Sequence, residues 1–319
     1  MSASEMHPDF SAALDAAFPG RPVHDVAPLS GGFSGATLIA FVVDGAPYVA
    51  KRHVLDPSDP ERAAREIACL RVASERGVAP RLRHANARTG VTIMDRLAAT
   101  PLRPTADPTR LETVATTLRR LHDGPPFPRG PAIMDFLRAL DAQCVALAGT
   151  GLPADLVRTA EEFTRESAPH AHEAPCHRDL NPNNVLVTAD RVYFVDWTTA
   201  GAGDPFLDLA QLGIFGFPRP EQREALLEAY LGRPASDHER TRAQVARVIA
   251  LAVYAASFFF TGARLGGTPS AGDEPVPLAE VLVALRTAPE RTHPGTIAAA
   301  LLHEMRRDAH ARDAARGRP

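Results

Sequence analysis

The segment Cys176-His-Arg-Asp-Leu-Asn-Pro-Asn-Asn-Val-Leu-Val187 sets Asp179 and Asn184 five residues apart on one loop. Shortly after it, Val192-Tyr-Phe-Val-Asp-Trp197 sets Asp196 at the end of a short predicted strand. Phosphoryl transfer requires a carboxylate beside the attacking hydroxyl and oxygen ligands for a divalent cation. Asp179 suits the first role, and Asn184 and Asp196 suit the second. A polar loop followed by an incidental strand-end Asp is the bland alternative, and it leaves the spacing and the flanking apolar residues without a reason.

Upstream, Leu29-Ser-Gly-Gly-Phe-Ser-Gly-Ala36 falls between two predicted strands. Glycines there allow close backbone approach and can point amide hydrogens at phosphate oxygens; the same residues also suit a plain tight turn. No Gly-Lys-Ser/Thr follows, so this is no Walker loop, and no helix opens directly after it as a dinucleotide-binding turn requires. The returning strand carries Tyr48-Val-Ala-Lys-Arg52, and Glu66 follows Lys51 by 15 residues on a predicted helix. A strand lysine beneath a glycine loop can hold phosphates while a helix carboxylate orients it, although Glu66 alone reads equally as a solvated helix acid. Lys51 is the sole lysine among 35 Lys and Arg residues. Its compact ammonium seats against phosphate oxygens without the planar fork of arginine.

Positioning these groups takes a strand-rich first part and a helical remainder. Strands are expected at Pro22–Ser30, Ala36–Val43 and Tyr48–Val54, the last two joined at the Asp44-Gly45 hairpin signal. Two more, Arg81–Ala85 and Val91–Met94, flank Asn86-Ala-Arg-Thr-Gly90. A helix is expected over Pro60–Glu75, with Ala64, Ile67, Ala68 and Leu70 on one face. Helical periodicity then covers Leu111–His122, Ile133–Ala148, Pro153–Glu166, Pro220–Leu231, Arg240–Phe260, Leu278–Arg286 and Thr296–Arg312. Ala174–Trp197 interrupts it with two β-like runs, Val185–Thr188 and Arg191–Val195.

At 319 residues and 34.2 kDa the chain suits two lobes, residues 1–97 and 98–319, better than one small core. Hydrophobic residues at 45% and charged residues at 23% exclude wholesale disorder. The net charge of −3 (35 − 38) supplies no basic field for nucleic acid or anionic membrane. Cys69, Cys144 and Cys176 are widely spaced, form neither a disulfide framework nor a metal pattern, and fit a reducing compartment. Met1–Gly20 lacks the basic-then-apolar order of a signal peptide. Val248–Gly262, interrupted by Tyr254 and Ser257, falls short of the ~20 residues of a membrane span. The expectation is a cytoplasmic protein with no nucleic-acid, membrane or obligate protein partner.

This order of motifs resembles the aminoglycoside phosphotransferase and choline kinase superfamily, over Leu29 to about Ala210. The resemblance implies an α+β, two-lobed protein-kinase-like fold, with a small β-rich N-lobe for nucleotide and a larger, mainly helical C-lobe for catalysis and substrate. Carried onto this chain, it makes Ser30, Gly31, Gly32, Ser34 and Gly35 the nucleotide-covering loop, with Lys51 the phosphate-binding lysine and Glu66 its partner. Met94, Asp95 and Leu97, within Ile93-Met-Asp-Arg-Leu97, match the hinge whose backbone contacts adenine. Asp179 takes the catalytic-base position, Asn184 and Asp196 become Mg²⁺ ligands, and His177 matches a structural histidine. Thr116–His122 resembles the family's helix ending in histidine, and Asp208 in Gly203-Asp-Pro-Phe-Leu-Asp-Leu-Ala210 would brace the catalytic loop. Two positions depart from the family pattern: Arg178 stands where Gly is frequent, and Thr198 where Glu is frequent. Asp-Phe-Gly is missing, and no Ala-Pro-Glu follows the Asp196 segment until Ala288-Pro289-Glu290 near the far end of the chain, which argues against a protein substrate.

The implied reaction is ATP- and Mg-dependent O-phosphorylation of a small hydroxylated molecule. Residues 207–319 hold 13 acids and 14 arginines, a balance that weighs against a polycationic aminoglycoside acceptor. Tyr254 and Phe258-Phe-Phe260, with Phe215 and Phe217, either wall an aromatic pocket for a choline-like cation or form plain helical core. An aminoalcohol metabolite such as choline is favoured. An aminoglycoside or other antibiotic as acceptor, and a non-catalytic nucleotide-binding regulator, are the alternatives.

Overall fold

Alternation of apolar and polar residues along paired strands builds the frame around Lys51. In the computed structural model, which describes residues 6–29, 35–57, 59–170, 172–266, 276–287 and 292–315, the chain opens with a helix, α1 (Pro8–Ala17). Strands β1 (Val23–Leu29), β2 (Thr37–Val43), β3 (Ala46–Arg52), β4 (Leu82–Asn86) and β5 (Val91–Asp95) then form an antiparallel sheet in the order β1-β2-β3-β5-β4. Asp44 and Gly45 have φ of +49° and +77°, the paired left-handed conformations of a two-residue hairpin turn, and they set the register Val43↔Ala46.

Ile39, Phe41, Val43, Tyr48, Ala50, Val91 and Ile93 are buried together, and Phe10, Ala13 and Leu14 of α1 pack against them. Phe18 closes this layer, its ring 4.8 Å from Tyr48 and 6.0 Å from Phe41. Helix α1 is not among the helices expected from the sequence, although its apolar positions 10, 13 and 14 follow helical spacing. A strand alternates faces at every residue, so Lys51 and its cross-strand partner Thr92 occupy the opposite face of the sheet. Helix α2 (Arg62–Glu75) buries Ala63, Glu66, Ile67, Cys69, Leu70 and Ala73. Its inner face is thus turned from the expected one: Ala68 is exposed, and a buried acid takes part in the stripe.

The chain forms two compact units: residues 1–103, 112–130 and 173–203, and residues 104–111, 131–172 and 204–319. The first holds the sheet, α1, α2 and the larger part of α3 (Pro108–His122). It also holds short antiparallel ladders: β6 (Thr100–Pro101) pairs with β8 (Val185–Val187), which pairs with β9 (Val192–Phe194), and β7 (Ala174–Cys176) pairs with β10 (Gly201–Gly203). The second unit is helical: α4 (Ile133–Ala148), α5 (Ala154–Ser167), α6 (Pro205–Phe215), α7 (Pro220–Leu231), α8 (Asp237–Arg264), α9 (Leu278–Thr287) and α10 (Pro294–Ala315).

Helix α8 begins at a capping box in which Ser236 and Glu239 satisfy each other's backbone N–H groups. Arg247 joins it to α10 through Glu304 (2.6 Å) and Asp308 (2.7 Å). Among the described residues α8 is the one helix long and apolar enough to cross a bilayer, and 67% of its apolar window is buried inside the fold. Phe215 and Tyr254 meet edge-to-face at 4.7 Å, and Phe217 is fully buried, so these three rings are core and wall no open pocket. Phe258, Phe259 and Phe260 are half-buried. All three cysteines are buried and none is in a disulfide.

Truncating the ring at the centre of the α1–sheet layer leaves a cavity that the surrounding side chains fill only in part. Phe41→Ala is expected to lower unfolding free energy by about 3–5 kcal/mol, read as a shifted midpoint in urea titration with an unchanged slope.

Candidate active site

Period-2 alternation brings Lys51 off β3 to the face of the sheet covered by α2, where burial removes most of its water. Its side chain is 8% exposed, and Nζ donates to Glu66 Oε1 at 2.8 Å and to Asp196 Oδ1 at 2.8 Å. Thr198 Oγ1 closes the group, 2.5 Å from Asp196 Oδ1, 3.2 Å from Glu66 Oε1 and 3.3 Å from Lys51 Nζ. On its far side Glu66 Oε2 lies 2.8 Å from His53 Nδ1. Burial acts against every charge here, but pairing prevails. Desolvation pulls the Lys51 pKa down, yet the Glu66 and Asp196 carboxylates outweigh it and hold it above the ordinary value. Glu66 is likewise lowered despite burial, by His53 and Lys51. Asp196, pushed up by burial but drawn down by Lys51, Thr198 and His177, falls to about 2.

A second group forms on the loop between β7 and β8. Asn184, at the end of a 3₁₀ turn (Pro182–Asn184), donates from Nδ2 to the Asp179 carbonyl at 2.9 Å and to Asp179 Oδ2 at 3.0 Å. Asn181 Nδ2 donates to Asp179 Oδ1 at 3.1 Å. His177 is fully buried; its Nδ1 accepts from the Asp179 N–H at 3.3 Å, which makes Nε2 the donor to the Val195 carbonyl at 2.9 Å. Val195 N–H in turn donates to the Asn184 carbonyl at 3.0 Å. Val195 precedes Asp196, so the two groups share one backbone anchor. The Trp197 ring covers His177 at 4.7 Å and meets Phe127 at 6.1 Å.

Both departures from the family pattern acquire a physical account. Arg178 has φ of +68°, a conformation that glycine adopts freely and arginine does not. Its guanidinium reaches Gly130, where a Cβ would lie 2.6 Å from Nη1. Thr198, in place of an acid, bonds to all three members of the Lys51 group.

Of the residues singled out in the sequence, Lys51, Glu66 and Asp196 meet in one group and Asp179 and Asn184 in another. Met94 pairs with Val49 and shares the Lys51 face by alternation. Asp95 turns to the other face, where Arg83 Nε holds it at 2.6 Å, and with Leu97 it lines a cavity of about 400 Å³. Gly35 has φ of +73°, a conformation that favours glycine. Ser30, Gly31, Gly32 and Ser34 lie outside the described residues. His53 and Thr198 were missed as site residues. His53 carries one available signal, its place two residues after Lys51 and so on the same face of the strand.

The donor set suits a hard divalent cation. It is all oxygen, with Asp196 held ionised and the Asn184 amide nitrogen committed to Asp179, which leaves the amide oxygen as a ligand.

A model of the phosphotransferase enzyme family matches residues 25–244. Protein LicA of Haemophilus influenzae is 38% identical over 72 residues, 23% of this chain and 27% of that protein. The chain thus spans about a quarter of the length of this curated relative. A crystallised choline/ethanolamine kinase family protein from Mesorhizobium loti superposes with a TM-score of 0.64 at 25% identity, over 93% of this chain and 100% of that one. The macrolide 2′-phosphotransferase MphH from Brachybacterium faecium shares the fold with a TM-score of 0.55 at 18% identity, over 89% of this chain and 100% of its own.

Depression of the Asp196 pKa has a consequence for acid stability. The unfolded chain takes up this proton near the ordinary value of 3.8, while the folded chain takes it up only near 2. Stability from this group is therefore complete above about 3.8 and disappears as pH falls through about 2. In chelator-treated protein, urea unfolding across that window is expected to show a steeper loss for the wild type than for Asp196→Asn.

Proposed function

The chain belongs to the phosphotransferase enzyme family, and we propose on that premise that it transfers the γ-phosphoryl group of ATP to the hydroxyl of a choline-type aminoalcohol. The observation that carries this reading is the pair of groups joined at Val195, Lys51–Glu66–Asp196 and Asp179–Asn184. Phosphoryl transfer through a loose transition state asks a protein mainly for positioning and for fixed charges, and both groups supply these.

In this reading Lys51 holds the transferring end of the nucleotide, with Gly35 at the edge of the loop above it. Glu66 and Thr198 keep the ammonium from following the phosphate as it moves. Met94, Asp95 and Leu97 supply the wall and backbone groups against adenine. Asn184 and Asp196 would hold Mg²⁺, which neutralises phosphate charge when bound. Asp179, its carboxylate fixed by Asn181 and Asn184, accepts a hydrogen bond from the acceptor hydroxyl and aims its oxygen at phosphorus. As the new O–P bond forms, the bond from phosphorus to the ADP oxygen breaks, and the hydroxyl proton passes to Asp179. His177 acts indirectly, since its two ring nitrogens tie the Asp179 backbone to Val195.

An aminoalcohol acceptor is supported by the likeness along nearly the whole chain to a choline/ethanolamine kinase family protein, and by the balanced charge of residues 207–319. With Mg²⁺ and ATP, choline or ethanolamine is expected to support ADP release. Asp179→Asn should reduce kcat by about 10²–10⁴-fold while nucleotide affinity is retained. Turnover confined to macrolides or aminoglycosides would overturn the assignment of substrate, and full turnover by the variant would overturn the role of Asp179.

A further inference from the structure

Glu66 is approached on both oxygens. Lys51 and Thr198 hydrogen-bond to Oε1, and His53 Nδ1 lies 2.8 Å from Oε2, an ion-pair distance whose angle falls outside hydrogen-bond geometry. The side chains of His53 and Glu66 are each 4% exposed, so neither has water as an alternative partner. The other ring nitrogen of His53, Nε2, lies 3.2 Å from the hydroxyl of Thr92, which is fully buried on β5. The His53 backbone N–H donates to the Gly90 carbonyl at 2.8 Å, which fixes the start of the side chain as well as its two ends. Arg62 is the further charged group facing this corner, where it lines a small cavity with Lys51, His53, Glu66 and Thr198.

A carboxylate with one oxygen on a lysine can still rotate about its last side-chain bond. With the second oxygen in close contact with a ring that is itself braced against a strand, that rotation is opposed. We infer that His53 is a positioning residue: it relays the rigidity of β5 through Thr92 to Glu66, and so fixes the point in space at which Lys51 presents its ammonium. In its catalytic consequence this rests on the proposed reading of Lys51 as the phosphate-binding group; in its structural consequence it does not.

The sole lysine of the chain makes the structural part measurable without nucleotide or turnover. Acetylation by an N-hydroxysuccinimide ester, followed by mass spectrometry of the Lys51 peptide, reports how firmly that ammonium is held. Two near-isosteric variants separate the two ends of the imidazole. The amide nitrogen of asparagine replaces Nδ1, which faces Glu66, and that of glutamine replaces Nε2, which faces Thr92. At one fixed pH His53→Gln is expected to raise the Lys51 acetylation rate about tenfold, the size of one lost contact to a buried charged group. His53→Asn should stay close to wild type. In turnover, the loss in His53→Gln should fall on kcat/KM for ATP and spare KM for the acceptor. Thermal unfolding of both variants, followed by circular dichroism, accompanies each measurement.

If Lys51 acetylation is the same in wild type and His53→Gln while both remain folded, His53 only fills space and the inference is wrong. If His53→Asn exposes Lys51 as much as His53→Gln does, the contact with Glu66 is not what holds it. A wild type without phosphotransfer would overturn the proposed reaction, and the acetylation series would still decide the role of His53.

Discussion

An ammonium removed from water is the constraint around which the first unit is organised. An unpaired charge in a protein interior costs several kcal/mol, and Lys51 avoids that cost only where two carboxylates reach it together. One comes from α2 and the other from the end of β9, segments 130 residues apart in sequence (196 − 66). The two meet at Lys51 only where the sheet, the helix and the loop after β9 come together. Buried ion groups of this kind are poor sources of net stability, because desolvation offsets much of the Coulombic gain. What the arrangement secures is placement, and placement is what phosphoryl transfer needs from a protein.

How much of this was legible in the sequence depended on whether the signal was local. Asp179 and Asn184 were visible because a five-residue spacing on one loop is a short-range pattern, and the structure joins them directly. The hairpin at Asp44-Gly45 was visible because its backbone demands particular residue types. Three strands, β6, β7 and β10, went unread because Thr-Pro, Ala-Pro-Cys and Gly-Ala-Gly lack the β-prone residues that mark the equally short β8 and β9; they exist only through their partners. The inner face of α2 was drawn from apolar residues alone, and a buried acid that belongs to the stripe fell outside that rule. His53 and Thr198 were passed over for a related reason. Each is ordinary in its own segment and gains a role only from partners brought in by other elements, Glu66 for His53 and Glu66 with Lys51 for Thr198.

The helical unit solves a different problem with the same residue economy. Its charged contacts between elements are made by arginine, as at Arg247 with Glu304 and Asp308, or Arg306 with Asp155. A planar guanidinium reaches two acids at once, which a single ammonium does with poorer geometry. Arg242 adds a further use of that plane, lying 4.1 Å from the Phe206 ring while bonded to Asp204, the cap of α6. The one position of the chain that carries a lysine lies between two buried carboxylates, Glu66 and Asp196.

Arg178 carries a consequence for how this sequence can change over generations. Its left-handed backbone is tolerable to any residue only at some cost, and glycine would remove that cost. Yet the space vacated by the missing side chain of Gly130 is filled by the Arg178 guanidinium, so the two positions share one volume. Gly201 stands apart, because it is backbone atoms of Gly130 and Pro128, each 3.1 Å from where its Cβ would be, that crowd a side chain there. A side chain gained at residue 130 therefore competes with the Arg178 guanidinium for the same few cubic ångströms, while one gained at residue 201 presses on backbone, which has less freedom to give.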